Sequence, residues 1–216
     1  EFEGSTIKGV ILNRVSEKFY CMLKAQIEKY TGLSVLGYIP QIDDIKIESR
    51  HLGLVQCAEI DDMEDRIEKI ASVIRKNIDM KLLVNLMNDV YGMPYENLEK
   101  KNIKTAVALD KAFSFYYREN LKLLSDSCSV EYFSPIRDKS LPKCDFLYIG
   151  GGYPEVFRHE LSKNKEMLSS IKSYAENGGC IYAECGGFMY LTEQIEDSGM
   201  VGIFEGKTML TNNLQR

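Results

Sequence analysis

Two segments of this chain set a chemically useful residue type at a point where the hydrophobic pattern changes abruptly. In Cys180-Ile-Tyr-Ala-Glu184-Cys185-Gly186-Gly187-Phe188-Met189-Tyr190-Leu191 an apolar strand pattern runs into a cysteine and two glycines, then into a helical pattern. In Asp145-Phe-Leu-Tyr-Ile-Gly150-Gly151-Gly152-Tyr153-Pro154-Glu155 a second apolar strand runs into three glycines. A cysteine on a strand-to-helix turn projects its sulfur above the sheet, as in a nucleophile elbow. The unpaired N–H groups of the helix start favour thiolate over thiol. The amide of Gly186 then faces the place where an oxyanion would form, and the bare backbone of Gly151 and Gly152 can offer a second donor. The chemistry predicted is acyl transfer: the thiolate attacks an amide carbonyl, ammonia leaves, and water releases the thioester. A Cys-Gly-Gly run is also what a plain strand-end turn looks like, and three glycines alone suit a tight connection. The two together in one α/β region are more specific than either.

A thiol nucleophile calls for a base, and the sequence has two histidines, His51 and His159. His159 follows the glycine loop, so a Cys185–His159 dyad is one reading; a surface helix histidine is the other, since Arg158-His159-Glu160 is polar. His51 belongs to the first half of the chain. Chemistry alone therefore yields a nucleophile without a convincing base. The remaining cysteines, at 21, 57, 128, 144 and 180, show no C-x-x-C spacing, which argues against a zinc or thioredoxin-like site. Cys180 reads as a core residue of its strand. The set as a whole reads as mostly buried free thiols in a reducing, cytoplasmic setting.

The elements that must position these residues follow from periodicity. Strands are expected at 7–12, 34–39, 104–109, 129–133, 145–149 and 180–183, and helices at 16–30, 62–78, 114–124 and 165–176, with another running from Gly186 to Glu193. The 16–30 helix should turn Phe19, Leu23, Ile27 and Tyr30 inward, and the 62–78 helix Met63, Ile67, Ile70, Ala71 and Ile74, with Asp61 or Asp62 as its N-cap. Such alternation predicts α/β structure: two doubly wound parallel-sheet units, with ligands at the carboxyl edges of the strands. Turn residues at Tyr91-Gly92-Met93-Pro94 and the polar Glu99-Lys100-Lys101-Asn102 place a boundary, giving 1–90, a linker at 91–103, and 104–216.

Composition bounds the function. The 216 residues are 44% hydrophobic and 27% charged, with formal net charge −5. An acidic chain without a basic run is a poor partner for nucleic acid or an anionic membrane surface. No apolar run approaches the ~18 residues of a membrane span, and the Glu1-Phe2-Glu3-Gly4-Ser5 start lacks the features of a signal peptide.

Beyond chemistry, the sequence resembles the cobyrinic acid a,c-diamide synthase family from about Ile7 to Phe204. The resemblance rests on Lys8–Val15, Val35–Pro40, Ser49–Val55, Val107–Tyr117, Phe133–Asp138, Gly150–Glu155 and Ala183–Leu191, in family order. It implies glutamine- and ATP-dependent amidation, with Mg²⁺, of the a and c carboxylates of the corrin substrate cobyrinate. It implies a P-loop-type synthetase domain that activates the carboxylate as an acyl phosphate, followed by a class I glutaminase-like, flavodoxin-like domain that supplies ammonia. Cys185 matches the family nucleophile. Asn13 matches the asparagine expected to read the adenine edge, with the Pro40 loop beside it, although an Asn at a strand end is also an ordinary turn residue. A homodimer is compatible with this picture.

The sequence departs from the family pattern in three ways, the first being that the acidic residues the resemblance implies for holding Mg²⁺ and orienting the corrin have no match. No Gly-rich phosphate loop ending in Lys-Ser/Thr is present, and no histidine matches the family's base. The chain thus reads as an internal fragment, the back of the synthetase domain joined to the front of the glutaminase, and is expected to be inactive by itself. The alternatives are a sister tetrapyrrole or cobyric acid amidotransferase, a stand-alone α/β cysteine hydrolase, and a non-catalytic assembly module.

Overall fold

The computed structural model describes residues 4–50, 53–56, 59–88, 92 and 99–211. His51, Leu52, Cys57 and much of the linker expected at 91–103 lie outside the described residues. The chain divides into two compact units, Glu1–Pro94 and Tyr95–Arg216.

The first unit opens with a parallel β-α-β turn of chain: β1 (Gly9–Asn13), α1 (Glu17–Thr31) and β2 (Ser34–Ile39). Helix α1 starts where Ser16 accepts a hydrogen bond from the Phe19 amide at 3.5 Å. It stops at Gly32, which adopts φ +69° and donates its N–H to Glu28 O at 3.1 Å. A 3₁₀ turn (Asp43–Ile45) and a small antiparallel hairpin, β3 (Ser49–Arg50) with β4 (Gly53–Leu54), lead to α2 (Met63–Asn77) and α3 (Met80–Leu86). The sequence pattern did not foresee α3, whose start is fixed by the Asp79 carboxylate accepting from the Leu82 amide at 2.9 Å. Asp62 stands at the N-cap of α2, but its carboxylate accepts from Arg66 Nε at 2.9 Å instead of capping the helix. The apolar stripes expected on α1 and α2 are only half met. Leu23, Ile27, Met63, Ile70, Ala71 and Ile74 are half-buried, whereas Phe19, Tyr30 and Ile67 are exposed. Among the described residues the parallel sheet of this unit has two strands, and burial concentrates at Val35, Leu36 and Ile78.

The second unit is built on four parallel strands in the order β10-β8-β5-β7: β5 (Lys104–Ala108), β7 (Ser129–Phe133), β8 (Phe146–Ile149) and β10 (Cys180–Ala183). Here α4 (Arg118–Ser127) precedes β7, and α5 (Arg158–Lys163) and α6 (Lys165–Glu176) connect β8 to β10. The chain runs outward from β5 to β7, then crosses back to β8 on the other side, so the strand order reverses between β5 and β8. One face of the sheet packs Ala106, Ala108, Leu147 and Ile149 against Leu161, Met167, Ile171 and Tyr190, all at or near zero exposure. Burying a side chain of the Leu or Ile class contributes about 1.5–3 kcal/mol each.

Three expectations are corrected in this unit. The helix predicted from Ser114 begins only at Arg118, because Phe113–Phe115 forms β6, antiparallel to β9 (Gly151–Gly152). The helix predicted from Gly186 to Glu193 is α7 (Gly186–Leu191); the chain then turns into β11 (Thr192–Ile195), the centre of a small sheet with β12 (Ser198–Gly199) and β13 (Phe204–Thr208). Cys180 is exposed, since β10 is an edge strand. More broadly, none of the five described cysteines is buried: Cys21, Cys180 and Cys185 are exposed, and Cys128 and Cys144 are half-buried.

Candidate active site

The segment Gly150–Glu155 is buried along its whole length, which is unusual for a connection and obliges its backbone polar groups to find partners. Strand β6 and the residues flanking it supply several of them. Phe113 pairs with Gly152 and Phe115 with Gly151, and the Tyr153 amide donates to Ala112 O at 3.0 Å. The Gly150 amide donates to the Tyr116 hydroxyl at 2.8 Å, and that hydroxyl in turn donates to Ala108 O. The contact is close enough that a Cβ on Gly152 would stand 2.0 Å from Ala112 O.

Strand β6 can reach the loop because Asp110 folds the preceding turn. One carboxylate oxygen accepts from the Ala112 and Phe113 amides, at 2.8 and 3.3 Å. The other accepts from Ser134 Oγ and the Ile136 amide, at 2.8 and 2.9 Å, which ties the ends of β5 and β7 together.

On its other side the loop meets the β10–α7 junction. Cys185 is the N-cap of α7 and adopts φ +50°, ψ −116°, a left-handed conformation that is rare for a residue with a Cβ. Its carbonyl accepts from the Met189 amide at 3.1 Å, and the Glu184 carbonyl from the Gly187 amide at 2.9 Å. The two glycines that follow permit this turn to seat directly on the loop. A Cβ at Gly187 would lie 2.2 Å from Ile149 O, and one at Gly186 would lie 2.7 Å from Pro154 Cδ and 3.1 Å from the Gly152 nitrogen. A Cβ at Gly151 would lie 3.6 Å from the Cβ of Cys185. Cys185, Gly186, Gly151 and Gly152 are thus brought together at the carboxyl edge of the sheet. The cysteine is exposed there, and both Gly186 and the loop are buried. Gly186 opens its helix, so its amide has no acceptor within that helix.

Glu184, next to the cysteine, accepts hydrogen bonds from Tyr148 Oη at 2.7 Å and Tyr182 Oη at 3.3 Å. Tyr116, Tyr148 and Tyr182 form a chain of edge contacts with ring centroids 5.1 and 5.3 Å apart. Burial pushes the Tyr116 phenol well above its ordinary value, against the lowering effect of the Gly150 amide it accepts. Burial, and then the Glu184 carboxylate, does the same for Tyr148.

His159 is placed elsewhere. Its Nδ1 lies 3.3 Å from Ser198 Oγ, on the hairpin that follows α7, and the Ser198 hydroxyl also lies 3.2 Å from Asp197 Oδ1. The structure gives no hydrogen bond between this histidine and Cys185. In the first unit, Asn13 pairs with Ile39 in register, so Asn13 ends β1 level with the end of β2, Pro40 follows directly, and the Val15 amide donates to Ile39 O at 3.2 Å. Asn13 is exposed. Sequence reasoning assigned no role to Tyr116, Asp110 or Glu184. The first two fall within the matched segment Val107–Tyr117, but a lone tyrosine or aspartate carries no spacing that reveals its partner.

No helix among the described residues is long and apolar enough to cross a membrane. A family model described as CobB/CobQ-like glutamine amidotransferase domain matches residues 104–215. A protein of Clostridium tetani named cobyrinate a,c-diamide synthase is 52% identical over 222 residues, covering 99% of this chain and 50% of that protein. Proteins of the same name from Clostridium acetobutylicum and Methanosphaera stadtmanae are 46% and 45% identical, each covering 97% of this chain and 49% and 48% of their own length. The chain spans about half the length of the curated relatives it matches.

Proposed function

Because the chain belongs to the CobB/CobQ-like glutamine amidotransferase family, we propose that its second unit is the front part of a class I glutaminase-like domain, with Cys185 as the nucleophile. The observation that carries this reading is the left-handed Cys185 at a strand-to-helix turn, seated on a buried glycine loop. The thiolate attacks the side-chain carbonyl of glutamine, and the oxyanion is held by the Gly186 amide and an amide of Gly151 or Gly152. The C–N bond breaks as the nitrogen gains a proton and leaves as ammonia, and water hydrolyses the glutamyl thioester to glutamate. One such donor is typically worth about 10²–10³ in kcat. The base is a residue of the whole protein outside this chain, in keeping with the engagement of His159 by Ser198. The isolated chain should therefore take an electrophilic label without turning over glutamine.

In the whole protein the ammonia amidates the a and c carboxylates of cobyrinate, and ATP when bound supplies the phosphoryl group that activates each carboxylate. The first unit is then the back part of that synthetase domain. Asn13, which ends β1, and Pro40, which follows the adjacent parallel strand β2, fit contact with a purine edge. Among the described residues no group of three or more His, Cys, Asp or Glu is placed to hold a metal ion.

A glutamine-mimicking diazoketone tests the nucleophile. Peptide mass mapping should find the label concentrated on Cys185 and lost in Cys185→Ser. Label spread evenly over the six thiols would overturn the assignment.

A further inference from the structure

We infer that Tyr116 is a positioning residue for the acyl-transfer step, its phenol latching the glycine loop in the orientation from which a loop amide faces Cys185. The inference rests on the glutaminase reading above and adds a residue to it. The Tyr116 hydroxyl sits where the strand order reverses, between the carboxyl ends of β5 and β8. It donates to Ala108 O at the end of β5 and accepts from the Gly150 amide, 2.8 Å away, just past the end of β8. One oxygen thereby bridges the two strands at the crevice where open α/β sheets bind ligands.

Its effect on the loop is directional. The Gly150 N–H belongs to the peptide plane that begins at Ile149, so pinning it fixes the rotation about which Gly151 and Gly152 follow. Gly150 has no side chain to resist rotation, because a Cβ there would lie 2.5 Å from the Tyr116 ring. From the other side Gly186 and Gly187 close on Ile149 O, Gly150 O and the Gly152 nitrogen. The loop is therefore gripped between a phenol and the cysteine turn, and Gly151 is the member lying next to Cys185. An amide a fraction of an ångström out of place stabilises an oxyanion poorly while hardly changing how glutamine itself is held.

The ring is packed edge-on against Tyr148 at 5.1 Å, and Tyr116→Phe keeps that packing while removing the latch. In the full-length protein this variant should lower glutaminase kcat by about 10- to 100-fold, with KM within about two-fold. Alkylation of Cys185 by iodoacetamide, a displacement at saturated carbon that forms no oxyanion, should keep its wild-type rate. Binding of glutamate γ-semialdehyde, whose thiohemiacetal oxygen occupies the oxyanion site, should weaken in step with kcat. Tyr174→Phe is the control: that phenol also donates to a backbone carbonyl, Cys180 O at 3.2 Å, but at the amino end of β10, and its kcat should be unchanged. Should Tyr116→Phe fail to fold, Gly150→Ala displaces the same peptide and should give the same kcat-only loss. Wild-type kcat in Tyr116→Phe, or an equal fall in the iodoacetamide rate, overturns the inference. A wild-type protein that neither hydrolyses glutamine nor takes the aldehyde would instead sink the glutaminase reading.

Discussion

Each unit of this molecule holds a non-glycine residue in the left-handed region just beyond a parallel strand: Arg14 at φ +58° after β1, and Cys185 at φ +50° after β10. A positive φ at a residue with a Cβ costs on the order of 1–3 kcal/mol. What differs is the surroundings. Arg14 lies in an exposed bend, whereas Cys185 is followed by two buried glycines pressed against the backbone of a buried loop. A strained strand end is therefore not in itself a catalytic elbow. The proposed elbow differs in having a close-packed backbone wall opposite it, and among the described residues the large buried core lies in the second unit.

The largest expected effect separates the two units by function. In the whole protein, Cys185→Ala should reduce glutamine-dependent amidation to background, since the substitution removes the proposed nucleophile. Amidation with free ammonia in place of glutamine should continue near the wild-type rate, because on the proposed reading the cysteine acts only in releasing ammonia. Parallel loss of both activities, measured by product formation with each nitrogen donor, would mean that Cys185 supports the fold and not the chemistry.

Next in size is the wall itself. Gly187→Ala sets a methyl group 2.2 Å from Ile149 O and 2.8 Å from Gly150 O, both backbone atoms that cannot swing aside. The expected loss is about 3 kcal/mol in urea unfolding, with the diazoketone label on Cys185 falling at the same time. Full stability would show that the junction has room for a side chain.

A smaller effect distinguishes the units by their phenols. Burial raises Tyr116, Tyr148, Tyr174 (to about 12) and Tyr190 in the second unit, whereas among the described tyrosines of the first unit Tyr38 alone is raised. A phenol raised in the folded state contributes stability that is fully present below its ordinary value near 10 and is lost as pH rises through the folded value. Unfolding above pH ~10 should therefore start in the second unit, read as tyrosinate absorbance that appears in step with loss of helical signal. Tyr190 sharpens the test, since its hydroxyl is fully buried without a hydrogen-bond partner. Tyr190→Phe should stabilise the chain by about 1.5 kcal/mol at neutral pH and shift the alkaline transition upward. A loss of stability instead would reveal a partner for that hydroxyl.

The contrast between units also explains what the sequence could reveal. The Cys-Gly-Gly and Gly-Gly-Gly segments were legible because a strand pattern, a turn and a helix pattern are local, and these segments do meet in space. Strand β6 was not legible. Ser114 and Phe115 suit a helix start, and only pairing with glycines some 36 residues later makes them a strand. Tyr116 and Asp110 went unread for the same reason, as their roles lie in long-range hydrogen bonds to Gly150, Ser134 and Ile136. The exposure of Cys180, Phe19 and Ile67 was missed because an apolar pattern announces a face to be covered without saying whether a neighbour covers it.

The smallest expected effect concerns a glycine kept for the opposite reason to Gly187. Gly32, the C-cap of α1, has open space around the position of a Cβ but adopts φ +69°. Its constraint is conformational and not steric, so the cost of a side chain should depend on tolerance of the left-handed region. Gly32→Ala should lose about 1 kcal/mol and Gly32→Asn roughly half as much, because asparagine adopts this conformation more readily. At Gly187 the order reverses, since the larger asparagine meets the same two carbonyls with more atoms. Urea unfolding of the four variants gives the answer. If alanine and asparagine rank alike at both positions, the distinction between a glycine held by its backbone angle and one held by its neighbours fails, and with it the claim that the loop beside Cys185 is set by close packing.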